Sequence, residues 1–265
     1  SGLASMAFGA GSIANNTGAI TLGVNSIASG ANSSAIGTEA KATGGDSTSI
    51  GKGSRATQQG STAIGHVASA TDFRTTAIGT GSKASAQCAL AVGWKANATA
   101  INAIAIGYTA NAEGINSTAV GTSAQASSNY SSSFGTKASA SGLASMALGA
   151  GSIANATGAI TIGVNSIASG ANSSAFGTEA NASAEDAIAV GFQATASGID
   201  SIAIGTNVVA SKGNSTAIGT DSEASGENST AYGDSSKATG INSAAFGFMS
   251  RASGGDSTSI GKASS

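Results

Sequence analysis

Few side chains in this sequence are equipped for chemistry, and none are grouped for it. The 265 residues contain one His and one Cys, against thirteen Asp and Glu and eleven Lys and Arg. His66 stands alone, so no His-based metal set and no Ser-His-Asp triad can be built within one chain. Cys88 has no second Cys to pair with and no base near it in sequence, so it reads as a small turn residue rather than a nucleophile. The carboxylates, among them Glu39, Asp46, Asp186, Glu223 and Asp234, are scattered and form no acid–base dyad. Gly44-Gly45-Asp46 and Gly254-Gly255-Asp256 are short echoes of calcium-binding nonapeptides, without the rest of that pattern. Asn-x-Ser/Thr triplets at Asn32, Asn116, Asn172 and Asn214 arise automatically from the local consensus and carry no weight as glycosylation signals. The expectation is therefore no catalysis, no metal and no cofactor.

The elements that position these residues are set by one glycine. It recurs every fourteen residues from Gly9 to Gly261, nineteen times, with no insertion or deletion. Taking it as position 0, the residue at +5 is Ala in all eighteen complete cases, Ala14 to Ala252. Self-similarity at a short fixed period marks a solenoid. Positions −4 and −2 are always Ala, Ser or Thr, and position −1 is always large and apolar. That alternation is the period-two signature of a strand. A second short strand is expected around +4, which varies freely and carries Lys41, Arg55, Gln125 and Glu223 between small residues at +3 and +5. Each coil then consists of two strands of about five residues and two bends. One bend is at the glycine, where φ > 0 or close packing excludes a Cβ. The other is near −7 to −5, where position −5 is Asn, Asp or Gly in fourteen of nineteen coils.

The fold expected is an all-β parallel β-roll solenoid of about nineteen 14-residue coils, forming a single array over 1–265 without a domain boundary. Residues 1–40 recur almost unchanged at 141–180, differing only at Phe8/Leu148, Asn16/Ala156, Leu22/Ile162 and Ile36/Phe176. Whole coils were duplicated, which an array tolerates because each coil touches only its neighbours.

Position +4 faces water, since it carries the charges, so +3 and +5 face inward. Opposite them stands either the small set (−4, −2) or the larger set (−3, −1). The narrowness of a fourteen-residue coil favours the small set. The −1 row is then an apolar stripe on the outside: Phe8, Leu22, Ile36, Ile50, Ile64, Ile78, Val92, Ile106, Val120, Phe134, Leu148, Ile162, Phe176, Val190, Ile204, Ile218, Tyr232, Phe246 and Ile260. Soluble monomers do not normally expose such a stripe, so partner chains are expected to cover it as a seam. In the alternative, the row is the core.

Aromatics are 4% of the chain, charged residues 9%, and Pro is absent. A continuous hydrogen-bonded ladder needs an N–H from every residue, which explains the missing Pro. A net charge of −2 gives no electrostatic case for nucleic acid or an anionic membrane, and no stretch has the length of an apolar membrane span. Position +1 is mostly small or polar but carries His66, Trp94, Tyr108, Phe192 and Phe248. Trp94 and Tyr108 occupy the same site on successive coils, with Lys95 adjacent and His66 two coils away, so their rings can stack. Such a patch suits a glycan or matrix protein. Covering the rim of an intersubunit seam is the role favoured for the patch over ligand contact.

Asp200-Ser201-Ile202-Ala203-Ile204-Gly205, Asn102-Ala103-Ile104-Ala105-Ile106-Gly107 and Asn214-Ser215-Thr216-Ala217-Ile218-Gly219 resemble the NSVAIG-type motif of YadA-like heads of trimeric autotransporter adhesins. The family motif continues with Ser at +3, which holds here in ten coils, while eight have Ala and one has Val208. The resemblance implies a left-handed roll, a homotrimer with three chains side by side, and a place on the Gram-negative cell surface. It further implies an outer-membrane anchor and stalk outside this segment, with host extracellular-matrix protein or glycan as the partner. Adhesion is the function expected. A spacer rod and an ice- or lattice-binding solenoid are the alternatives, the latter disfavoured because Thr occupies −3 in only seven coils.

Overall fold

The computed structural model describes residues 2–265, which divide into two compact units, 2–131 and 132–265. The fourteen-residue register of the sequence continues unbroken through the division, from Gly121 to Gly135. Among the described residues every regular element is a strand. In the first unit, nine three-residue strands (Met6–Phe8 to Thr118–Val120) alternate with nine two-residue strands (Ile13–Ala14 to Gln125–Ala126). In the second, ten three-residue strands (Ser132–Phe134 to Thr258–Ile260) alternate with nine two-residue strands (Ser139–Ala140 to Arg251–Ala252).

Within each unit, successive strands of the same kind pair in parallel, one period apart. Thr76, Ala77 and Ile78 stand opposite Leu90, Ala91 and Val92, and Lys83 and Ala84 stand opposite Asn97 and Ala98. The bends stay on the ladder too: Gly93 N–H donates to Ile78 O at 2.8 Å and Lys95 N–H to Thr80 O at 2.9 Å. Each unit is a parallel β-solenoid with a coil of fourteen residues.

The strands are shorter than the five residues expected, and the reason lies in the bends. In the coil around Gly93, three residues have positive φ: Cys88 at 58°, Gly93 at 135° and Lys95 at 51°. The pattern repeats at −5, 0 and +2 from coil to coil. Left-handed residues interrupt the pleat, so only three and two residues per coil remain extended and paired.

Gly65 shows why position 0 is invariant. Its φ is +136°, and a Cβ built on it would lie 2.6 Å from the carbonyl carbon and oxygen of Gly79, one coil on. Both the dihedral and the close approach of stacked backbones exclude a side chain.

The core is made of small side chains. Ala77 at −2, Thr75 at −4, Ser82 at +3 and Ala84 at +5 are all fully buried, and Val208 is the largest fully buried side chain among the described residues. The −1 residues lie outside, with Ile78 37% exposed. The narrow coil does select the small set. Serine also closes the bends: Ser82 Oγ donates to Gly79 O at 2.9 Å, and Ser47 Oγ to Gly44 O at 2.7 Å. The hydroxyl adds a second donor at the Gly79 carbonyl, which also accepts the Ser82 N–H at 3.2 Å, so the buried side-chain oxygen is itself paired.

The left-handed +2 site holds β-branched Val67 at φ 50°, half-exposed. Asn adopts this conformation far more readily, at a saving of about 1 kcal/mol. Val67→Asn is expected to raise the thermal midpoint, and an unchanged or lowered midpoint would count against strain at this position.

Candidate functional site

Two surface features stand out from the repeat. The first is the outward apolar row. Each −1 side chain leaves the sheet on the face opposite the Ala/Ser/Thr core because −2 and −4 point inward and alternate with it. Along the first unit, Ile36, Ile50, Ile64, Ile78, Val92 and Ile106 stand in register on adjacent strands. They are joined on the same face by −3 residues such as Leu90 and Ile104, both half-buried.

The second is the bend at +1. The Trp94 and Tyr108 rings stack with centroids 4.6 Å apart and planes 10° from parallel. Lys95 Nζ lies 4.3 Å from the Trp94 ring centroid, a cation–π geometry. The sheet register delivers this directly, since equivalent positions on adjacent parallel strands lie about 4.8 Å apart. Trp94 is 39% and Tyr108 53% exposed. His66 is exposed in the same column, but Thr80 stands between it and Trp94, so the stack comprises Trp94, Tyr108 and Lys95 without it. Similar cation–ring pairs occur at Arg74 and Phe73, 4.9 Å, and at Lys262 and Phe248, 5.8 Å.

Among the described residues no three His, Cys, Asp or Glu side chains converge as metal ligands. Cys88 is exposed, in the left-handed turn position. One ion pair is present among the described residues, between Lys237 and Glu223 at 3.0 Å. The hydrogen bond from Lys237 holds the Glu223 carboxyl below its usual value, with Ser225 and the charge of Arg251 adding to the effect and partial burial opposing it. A carboxyl depressed in the folded state contributes stability above its ordinary value and loses it as pH falls through the lowered one. Lys237→Met is therefore expected to cost less than about 1 kcal/mol at neutral pH, because the pair is solvent-screened. The gap between mutant and wild-type midpoints should close as pH drops below the carboxylate range. A gap that persists in acid would assign it to packing of the Lys stem instead.

Sequence reasoning missed two position-specific roles. The left-handed site at +2 is Gly, Asn or Asp in only eight of nineteen coils, so its turn signal is diluted by residues such as Lys95, Val67 and Met249. The serine-to-carbonyl bonds were hidden because Ala replaces Ser freely at +3. Side-chain amides also form ladders at −5: Asn214 Nδ2 donates to Asn228 Oδ1 at 3.2 Å, Asn228 to Asn242 at 3.1 Å and Asn242 to Asp256 at 2.9 Å.

A parallel β-solenoid with a core of small side chains and an apolar row left outside is the architecture of a repeat array. The YadA head domain repeat model matches twelve overlapping or adjoining stretches, which run continuously over residues 22–110 and then from 112 to 264 with short gaps. The chain belongs to this family of adhesin head repeats. Comparison with curated proteins gives no match. Among solved structures, the crystal structure of the collagen-binding domain of the Yersinia adhesin YadA is similar at 22% identity, over 71% of this chain and 66% of that one, with a TM-score of 0.18.

Proposed function

We propose that this chain is the contact-making head of a trimeric surface adhesin, displayed outside a Gram-negative cell on a stalk and outer-membrane anchor beyond this segment. Three copies lie side by side, with the −1 row at their seam. The partner is host extracellular-matrix protein or cell-surface glycan, held by many weak contacts repeated along the coils and across three chains. The observation that carries this reading is the head-repeat match along nearly the whole array. The outward apolar row supports it, because an exposed stripe of this kind needs partner chains.

The test is a binding screen of the purified protein against immobilised collagens, fibronectin, laminin and a glycan array. Binding to at least one member is expected, and it should weaken sharply when the trimer is dissociated, since avidity is lost with valency. No binding across the panel by an intact trimer would favour a spacer role.

A further inference from the structure

The +1 bend and the opposite bend of the coil carry matching features that no contact within the chain explains. Position −6, at the tip of the second bend, holds exposed apolar side chains in some coils: Ile101 at 44%, Ile115 at 39% and Ile199 at 57%. Seven residues separate a +1 residue from the next −6 residue, which is half a coil, so the two sit at nearly the same level on opposite edges. Of the five +1 sites with a ring (His66, Trp94, Tyr108, Phe192, Phe248), four are followed seven residues later by Phe73, Ile101, Ile115 and Ile199. Phe248 is the exception, followed by Gly255 and preceded at the same interval by Ile241. Of the thirteen other +1 sites with a residue at that offset, only Thr136 and Asp234 are followed by a large apolar residue.

Within one chain these edges do not meet. The strand Asn111–Ala112 lies between Tyr108 and Ile115. Each bend hydrogen-bonds to the same bend one period away, Thr109 N–H to Trp94 O and Asn116 N–H to Ile101 O, both at 2.9 Å. A ring of identical chains brings the edges together. If each copy turns its −1 face to a common axis parallel to the coil stack, rotation leaves every residue at its own level. The contact between neighbours is then heterologous, so the first bend of one chain meets the second bend of the next.

We propose that the Trp94–Tyr108 stack is the rim of the seam, packed against Ile101 and Ile115 of a neighbouring copy of this chain, and that Phe192 and Ile199 form the same contact in the second unit. The rings seal the edge of the −1 row from water where the row itself is narrowest, with Val92 and Val120 on either side of Ile106. This deepens the trimeric reading above and rests on it. The rival role for the stack is direct contact with a host ligand.

The test is site-specific cross-linking. In a Cys88→Ser background, Tyr108→Cys and Ile115→Cys are made singly and together, treated with a short bismaleimide and run on a denaturing gel. The double variant is expected to give covalent dimers and trimers. Each single variant should stay monomeric, because a heterologous contact never sets a residue against its own copy. Cross-linking of a single variant overturns the edge pairing, as do monomer bands from a double variant that sediments as a trimer. Either result leaves the trimer standing and returns the stack to ligand contact. A parent protein that sediments as a monomer overturns the trimer and this pairing with it. Should the first pair fail to fold, Phe192→Cys/Ile199→Cys applies the same criteria to the second unit.

Discussion

Gly65→Ala is expected to destabilise the protein by about 3–5 kcal/mol, at the upper end for a single methyl group. Holding Ala at φ +136° costs about 1–3 kcal/mol. The rest comes from the backbone, since the new Cβ would lie 2.6 Å from the Gly79 carbonyl and neither strand can move without breaking its ladder to the next coil. Gly261→Ala is the internal control. Its φ is +120°, but no heavy atom lies within 4 Å of a Cβ there, so it keeps the dihedral penalty and loses the clash. Denaturant unfolding of both variants separates the two causes. Equal losses would show that stacking contributes nothing and that conformation alone fixes the glycine. In an array whose stability passes from coil to coil, the interior variant should also broaden the transition, because coils on either side of Gly65 lose their coupling.

The second large effect concerns the outward row. Ile64→Asp/Ile78→Asp is expected to abolish trimer formation while leaving each coil's own hydrogen bonds intact. Each Ile buried at a seam contributes about 1.5–3 kcal/mol, and three chains lose two apiece. The replacements would in addition face one another as carboxylates around a common axis with nothing to neutralise them. Sedimentation gives the answer, with Lys83→Asp on the opposite face as control, which should leave the oligomer unchanged. A double variant that sediments like the wild type would mean that the row faces solvent and not a partner. Loss of host-ligand binding should accompany dissociation, because affinity in this reading is built from repeated contacts.

The route from sequence to site was uneven. Trp94 and Tyr108 were legible as a stack because equal repeat positions on a parallel ladder must lie one strand spacing apart, and the rings do so at 4.6 Å. His66 shares their column but not their contact, since a position in a repeat fixes a level and not a reach. The bends were half legible. Position −5 announces itself through Asn, Asp and Gly, whereas +2 adopts the same left-handed conformation with Val67, Lys95 or Met249. There the ladder bonds of neighbouring coils enforce a conformation that local preference resists.

The sequence by itself determined the period, the β-character and the repeat family. These properties follow from which residue types recur and at what interval, and a strictly periodic chain states them nineteen times. Only the tertiary structure decided which face closes inward, how short the strands are, and that buried serines tie the bends to their own carbonyls. Those outcomes depend on the distance between two strands of one coil. That gap is filled by Ala, Ser and Thr with Val208 as the one larger side chain, and alternation along a single strand carries no record of its width.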